Sequence, residues 1–142
     1  MTAAPAAPRR DRPGAIVAPL EVRLMPAKGL VERVCELNAA ISDHTRMKMI
    51  KVLGSHPHQT VSVSDVARIL GISQPAATKQ LRVLHNAGFV RPKRIGQAVY
   101  YSIVDETVRE YRQVLDLAFA HAYTPCVNEF DCDTCPYRET CV

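Results

Sequence analysis

The chain lacks the features that mark several classes of protein. It has no tryptophan and only 6% aromatic residues, and its longest apolar runs are about four residues, against the roughly 20 that a membrane-spanning helix needs. The N-terminus has no apolar stretch of the secretory type, so we expect a cytoplasmic protein without a membrane partner. No Ser/His/Asp set, paired carboxylates or phosphate-binding glycine loop occurs, so we expect no enzyme.

The 142 residues that are present suffice for one domain with its own apolar core. Charge is distributed unevenly along them. Residues 43–103 contain nine Lys or Arg and two Asp, a net charge of +7, whereas residues 104–122 carry −2 and residues 123–142 carry −3. A basic segment followed by two acidic segments predicts a face that binds a polyanion.

Capping signals in this basic segment predict three helices. Asp43 can cap a helix that buries Met47, Ile50 and Leu53 and ends at Gly54. Ser62 and Asp65 have the spacing of a capping box, which predicts a short helix up to Leu70.

The third helix is predicted after a tight turn. Gly71 supplies the turn, because glycine tolerates positive φ, and Ser73 caps a helix that runs to about Asn86 and buries Ala76, Leu81 and Leu84. A helix, a short turn with glycine and a second capped helix form a helix-turn-helix.

Two segments of strand composition follow, at residues 89–94 and 98–103, with Gly96 between them. A basic β-hairpin directly after a helix-turn-helix is a wing. The fold class predicted is therefore mainly α (α+β): a winged helix-turn-helix with a two-stranded wing and flanking dimerisation helices.

The flanking helices are predicted at residues 28–42 and 105–122. Each carries an apolar stripe at spacings of 3 and 4 that the helix-turn-helix does not need. We expect a homodimer interface from these stripes, with packing on their own domain as the alternative. The interface residues predicted are Leu30, Val34, Leu37, Ile41, Val108, Tyr111, Leu115 and Ala118.

Several motifs together resemble a known family. They are Asp43-His44-Thr45-Arg46, Ser73-Gln74-Pro75, Leu81-Arg82-Val83-Leu84, Ala87-Gly88-Phe89-Val90 and Gly96-Gln97-Ala98-Val99-Tyr100-Tyr101. In this order and at these intervals, they resemble the ArsR-type winged-helix regulators, bacterial repressors that respond to metals or thiol chemistry. The resemblance implies a homodimer that binds double-stranded operator DNA and leaves it when an inducer binds.

The chain departs from the family at its known sensor sites. Where arsenic-sensing members have Cys-x-Cys, this chain has Ser62-Val63-Ser64, and serine oxygen is a poor ligand for soft metals. The last helix has Asp105, Asp116 and His121 at spacings that do not match the zinc-sensing pattern.

The predicted DNA contacts are the polar residues of the second helix of the helix-turn-helix and the basic residues of the wing. A glutamine can read adenine, and lysine can read guanine or hold a phosphate. We expect no RNA partner, because the winged helix lacks exposed aromatic platforms. The residues predicted are Ser73, Gln74, Thr78, Lys79, Gln80, Arg82, Arg91, Lys93, Arg94 and Gln97.

Four cysteines crowd the C-terminal segment: Cys126, Cys132, Cys135 and Cys141. Four thiolates can bind zinc or hold an iron–sulfur cluster, and they can also take part in thiol redox chemistry or bind arsenite. The spacing leaves these alternatives open, with His121 as a further candidate ligand. The remaining cysteine, Cys35, is expected to be buried.

The predicted organisation has three parts: a flexible arm at residues 1–27, a DNA-binding and dimerisation domain at residues 28–122, and a cysteine-rich tail at residues 123–142. Arg9, Arg10 and Arg12 of the arm could contact DNA phosphates. The predicted function is a sequence-specific regulator, a repressor that responds to metal, an iron–sulfur cluster or redox state at the tail. The alternatives are a regulator with a purely structural zinc tail and a winged-helix module that docks proteins.

Overall fold

A computed structural model describes residues 27–56, 61–123 and 125–141. The side chains of Ala27, Lys28, His121, Thr140 and Cys141 lie outside the description. The predicted arm, with Arg9, Arg10 and Arg12, lies outside the described residues except for Ala27. The elements in chain order are α1 (Ala27–Ile41), α2 (His44–Gly54), β1 (Val61–Ser62), α3 (Val63–Leu70), α4 (Gln74–Asn86), β2 (Val90–Ile95), β3 (Ala98–Ile103), α5 (Asp105–Ala122) and α6 (Arg138–Cys141).

The predicted winged helix-turn-helix is confirmed, with one strand more than expected. α3 and α4 form the helix-turn-helix, and β2 and β3 form the antiparallel wing. β1 pairs with the other edge of β3, Val61 opposite Tyr101 and Ser62 opposite Tyr100, so that the sheet has three strands in the order β1-β3-β2. In the parts of the chain that are described, no helix has both the length and the apolar composition that crossing a bilayer requires.

The helix ends follow from the caps that the sequence predicts. The carboxylate of Asp43 accepts from the backbone amides of Thr45 and Arg46 at the start of α2. Ser62 and Asp65 form a reciprocal capping box at the start of α3, and Gly71, the residue after its last turn, has a φ of 65°. Because only glycine adopts this conformation without strain, the turn into α4 depends on Gly71.

Two buried faces differ by one or two positions from the prediction. On α2, Met49 is completely buried and Met47 is 48% exposed, since residues two positions apart on a helix lie about 200° apart around its axis. On α4, Ala77 is buried and Ala76 is exposed, because the buried stripe of this helix continues through Leu81 and Leu84.

The apolar stripe of α1 is part of the core of the single chain. α1 packs along α5, so Leu30, Val34, Leu37 and Ile41 are buried without any second copy. The apolar spacing of α1 is therefore explained by packing on its own domain, the alternative to the dimer interface that the sequence predicts. The dimer itself stays a prediction.

The stripe of α5 lies against the same core. Its four predicted residues are half-buried, and Val114, which was not predicted, is completely buried. Polar contacts fix the pairing of the two helices: Arg33 Nε donates to Glu110 Oε1 at 2.8 Å, and Tyr111 Oη donates to Asn38 Oδ1 at 2.7 Å. The half-buried residues are Val108, Tyr111, Leu115 and Ala118.

Candidate nucleic-acid interface

The second helix of the helix-turn-helix, α4, presents a polar face to solvent. Ser73 Oγ caps it by accepting from the amide of Ala76 at 3.3 Å, and Pro75 lies in the first turn, where no intrahelical donor is lost. Because Leu81 and Leu84 anchor the other side in the core, the polar side chains stay outside. Ser73, Gln74, Lys79 and Arg82 are exposed, and Thr78 and Gln80 are half-buried.

Four of these polar residues and Pro75 line one shallow depression. Its volume is about 400 Å³, and its walls are Gln74, Pro75, Thr78, Lys79 and Arg82. The structure therefore brings together four of the six α4 residues that the sequence predicts as DNA contacts. The combination of amide, hydroxyl, ammonium and guanidinium groups supplies hydrogen-bond donors for base edges and cations for phosphates.

The two glutamines of α4 are engaged with the protein. Gln74 Nε2 donates to Ser64 Oγ of α3 at 2.6 Å, and Gln80 Oε1 accepts from Arg46 Nη1 of α2 at 2.7 Å. Bidentate reading of an adenine uses both polar atoms of a glutamine, so Gln74 would have to leave Ser64 to do it. Gln80 is tied toward the body of the domain.

The wing places its cations on both faces of the hairpin. Side chains alternate along β2, so Arg91 and Lys93 share one face and Arg94 lies on the other. All three are exposed, as is Gln97 in the turn. Gly96 has φ of 61°, a conformation that favours glycine, and Arg94 Nε donates to its carbonyl at 3.3 Å.

Within the described part of the chain, no acidic side chain forms an ion pair with the cations of α4 and the wing. The two nearby carboxylates form hydrogen bonds at the starts of helices. The hydroxyl and amide of Ser62 lower the pKa of Asp65, and the backbone amides of Arg46 and Thr45 lower the pKa of Asp43. The positive potential of Lys79, Arg82, Arg91, Lys93 and Arg94 is therefore left for an external anion.

The tail contains an exposed thiol with several amide neighbours. The amide of Phe130 donates to Cys126 Sγ at 3.4 Å, and this contact together with the amides of Asn128 and Glu129 lowers the pKa of the thiol. Glu129 and Phe130 have φ of 49° and 64°, which turns the backbone around the sulfur atom. The arrangement favours a thiolate, the form that binds soft metals and reacts with oxidants.

Cys132 and Cys135 lie further along the same irregular segment, and Cys141 is the last residue of α6. The amide of Cys135 donates to the carbonyl of Cys132 at 3.4 Å, Cys132 is exposed, and Cys135 is half-buried. The side chains of Cys141 and His121 lie outside the description. Within the described residues, no group of three or more His, Cys, Asp or Glu is placed to hold a metal ion.

The tail also folds back on the domain. Its terminal helix α6 lies against α1, the helix that pairs with α5. Cys35 is exposed on α1, so the expectation that it is buried is wrong. The residues next to it in the apolar stripe, Val34 and Leu37, occupy the buried face, and Cys35 lies outside that stripe.

The sequence did not predict four residues of this interface. Ser64 and Arg46 form hydrogen bonds with the two glutamines, and Pro75 lines the depression. Ile95 is an exposed apolar residue at the tip of the wing. Ile95 could have been found, because an isoleucine beside a glycine turn in a basic hairpin has no core to enter. The partners of the glutamines had no sequence signal, since their contacts are set by tertiary packing.

Known proteins resemble this domain in sequence. A family model described as a helix-turn-helix domain matches residues 41–93. A cadmium resistance transcriptional regulatory protein CadC homologue of Staphylococcus aureus is 38% identical over 88 residues, which are 62% of this chain and 69% of that protein. A transcriptional repressor SmtB homologue of Synechocystis sp. is 33% identical over 60% of this chain and 63% of its own length. The chain thus spans slightly less than two thirds of this second relative.

Solved structures show the same fold. An ArsR-like transcriptional regulator from Rhodococcus sp. superposes with a TM-score of 0.56 at 24% identity, over 66% of this chain and 86% of that one. A homodimeric winged helix-turn-helix DNA-binding domain from Mycobacterium bovis superposes with a TM-score of 0.51 at 23% identity. The superposition covers 67% of this chain and 86% of that domain.

The relatives in sequence are transcriptional regulators and not enzymes, as expected for this chain. The S. aureus relative, more than two thirds of which is matched at 38% identity, fixes the family that the motifs indicate. The chain belongs to the ArsR family of winged helix-turn-helix transcriptional regulators.

Proposed function

We propose that this chain is a homodimeric transcriptional repressor that binds double-stranded operator DNA through α4 and the wing. The observation that carries the proposal is the set of exposed cations on α4 and the wing, none of which joins an ion pair among the described residues, together with a depression on α4 lined by hydrogen-bonding groups. A helix of this kind enters the major groove, and a basic hairpin beside it reaches the flanking phosphates or minor groove.

The residues have distinct roles in this proposal. Thr78, Lys79 and Arg82 face the major groove from the depression, and Ser73 and Gln74 approach it at the N-terminal end of α4. Gln80 supports the helix from its half-buried side. Arg91, Lys93, Arg94 and Gln97 contact the backbone beside the groove, where they add affinity with little sequence preference.

The homodimer would form along α1 and α5. Both helices keep an exposed apolar residue after packing on each other, Val31 at 54% exposure and Phe119 at 59%. The M. bovis domain of the same fold is homodimeric. Two copies related by a twofold axis would present their α4 helices to two half-sites of a palindromic operator.

Binding is tested by fluorescence anisotropy with an operator selected from a random library by the wild-type protein. Lys79→Ala should lower affinity and, if Lys79 neutralises one phosphate, reduce the slope of log K against log salt by about 0.9. Gln74→Ala should relax the sequence preference. Arg109→Ala is the matched control, because Arg109 is an exposed cation of α5 away from this face. Wild-type behaviour of both α4 variants would refute the interface.

We further propose that the cysteine tail is the sensor. The exposed thiol of Cys126 with its lowered pKa and the neighbouring Cys132 and Cys135 supply thiolate donors that suit zinc, an iron–sulfur cluster or another soft metal. The S. aureus relative is described as a cadmium resistance regulator. When bound, such a group would draw the thiolates together and change how the tail lies on α1.

The tail is tested by measuring operator affinity with and without Zn²⁺ or Cd²⁺, under reducing and oxidising conditions. We expect the wild type to respond and the Cys132→Ser and Cys135→Ser variants to bind operator without responding, since the core lies elsewhere. Equal affinities for wild type and variants in all conditions would leave a tail with no sensory role. Loss of folding on metal removal would indicate a structural zinc site instead.

A further inference from the structure

Arg46 joins three helices through one guanidinium group. It lies in the first turn of α2, its Nη1 donates to Gln80 Oε1 of α4 at 2.7 Å, and its Nη2 donates to the carbonyl of Ala39 in α1 at 3.2 Å. Its Nε donates to the carbonyl of Ala40 in α1. The last turn of α1, the start of α2 and the middle of α4 therefore share one cation.

The contacts at the end of α1 satisfy backbone groups that the helix cannot satisfy itself. The last carbonyls of a helix have no intrahelical donor, and they carry the negative end of the helix dipole. A guanidinium is suited to this position because its planar fork can donate to several acceptors at once. Arg46 thereby caps α1 and keeps a donor for Gln80.

The side-chain positions separate Gln80 from the groove-facing residues. Gln80 is half-buried and does not line the depression formed by Gln74, Pro75, Thr78, Lys79 and Arg82. Its Oε1 is occupied by Arg46, and a hydrogen bond to a charged donor is stronger than one between neutral groups. Releasing Gln80 to read a base would leave a half-buried cation without one of its acceptors.

We propose that Arg46 and Gln80 act as positioning residues that fix the recognition helix α4 to the end of α1, and that Gln80 does not read a base. The inference rests on the proposed DNA binding and deepens it by assigning the residues that set the angle of the helix. Because α1 also belongs to the proposed dimer interface, this link holds each recognition helix at a fixed place relative to the twofold axis. The half-site spacing that the dimer prefers then depends on a contact between two residues that do not bind DNA.

Gln80→Glu distinguishes positioning from base reading. A glutamate keeps the acceptor for Arg46 and forms an ion pair with it, so a positioning role predicts operator affinity close to wild type. A base-reading role predicts a large loss, because a carboxylate would face the acceptors and phosphates of DNA. Gln80→Leu removes the acceptor, and we expect it to lower operator affinity about tenfold while non-specific affinity is unchanged.

Arg46→Met supplies the other half of a double-mutant cycle. We expect the double variant to lose no more affinity than Arg46→Met alone, because both substitutions break the contact between Arg46 and Gln80 and Arg46→Met also removes the donors to α1. We also expect these variants to tolerate operators with one base pair added between the half-sites, which the wild type should reject. A variant that loses only thermal stability would keep the spacing preference.

Several results would overturn the inference. They are additive losses in the cycle, Gln80→Glu binding as weakly as Gln80→Leu, or an unchanged spacing preference in the variants. If Arg46→Met does not fold, the two Gln80 variants decide the question alone. A wild-type protein that selects no operator would instead refute the proposed function, so the two failures are distinguishable.

Discussion

The sulfur atom of Cys126 lies in a turn whose backbone amides point at it. Amide donors stabilise the negative charge of a thiolate, and the amide of Phe130 contributes most to the lowered pKa of this cysteine. Because the folded-state pKa is lowered, the thiolate persists to lower pH than in an ordinary thiol. Cys126 is thus the tail residue that we expect to react first.

Alkylation by iodoacetamide measures this property. In a protein whose other cysteines are replaced by serine, the reaction of Cys126 should have its pH midpoint below that of N-acetylcysteine. In urea the turn is lost, so the midpoint should rise to the value of the free thiol. A folded protein that reacts like N-acetylcysteine at every pH would contradict the role of the amides.

At this scale, contacts between near neighbours were predictable from the sequence and distant ones were not. Asp43, Ser62 and Ser73 cap the helices that the sequence assigns to them, because a cap depends on residues two or three positions away. The contact between Arg46 and Gln80 spans 34 positions. It depends on how α2 and α4 cross, which no local pattern encodes.

The capping box of α3 controls the first helix of the helix-turn-helix. Ser62 Oγ donates to Asp65 Oδ2 at 2.6 Å and accepts from the amide of Asp65 at 3.1 Å. Ser62→Ala should lower the free energy of unfolding by about 1 kcal/mol, measured by urea denaturation at neutral pH. Ser42→Ala, an exposed serine outside the helices, is the control and should unfold like wild type.

The same box has a predictable response to acid. The pKa of Asp65 is lowered in the folded chain, so its contribution to stability is present above the ordinary pKa of an aspartate and is lost as pH falls through the lowered one. The difference in stability between wild type and Ser62→Ala should therefore shrink in acid. A difference that stays constant down to pH 2 would contradict the reciprocal bond.

Element boundaries were more predictable than the faces of the elements. Glycines and caps mark the ends of α3 and α4, whereas the choice between Met47 and Met49 as the buried residue depends on the packing of α2 in the domain. β1 was not predicted, because it has only two residues and the capping signal of Ser62 indicates the start of a helix more strongly than a strand. Its partner strand β3 begins 36 positions after it ends, and only tertiary structure brings them together.

At the scale of the whole molecule, the proposed dimer should depend on the apolar residues that stay exposed on α1 and α5. Phe119→Glu should convert a dimer into a folded monomer in analytical ultracentrifugation, since a carboxylate in the interface would lose its hydration. Ile69→Glu is the matched control, because Ile69 is 46% exposed on α3 and outside the proposed interface. A Phe119→Glu protein that stays dimeric would exclude this part of α5.

Leu115→Glu should behave differently from Phe119→Glu. Leu115 is half-buried against the core of its own chain, so the substitution should destabilise the protomer as well as any dimer. Circular dichroism at increasing temperature separates the two effects. The sequence could not make this distinction, because the stripe of α5 has the same spacing whether it faces its own domain or a second copy.

The short strand β1 has a consequence for the way the domain opens. Ser62 pairs with Tyr100 of the wing and is also the residue that caps α3, so one residue belongs to both units. Opening of β3 breaks its pairing with β1, and β1 carries the residue that caps α3, so we expect the two units to open together. Amide protons of α3 and β3 should therefore exchange with deuterium in a single cooperative step, and DNA that protects the wing should slow exchange in α3 as well.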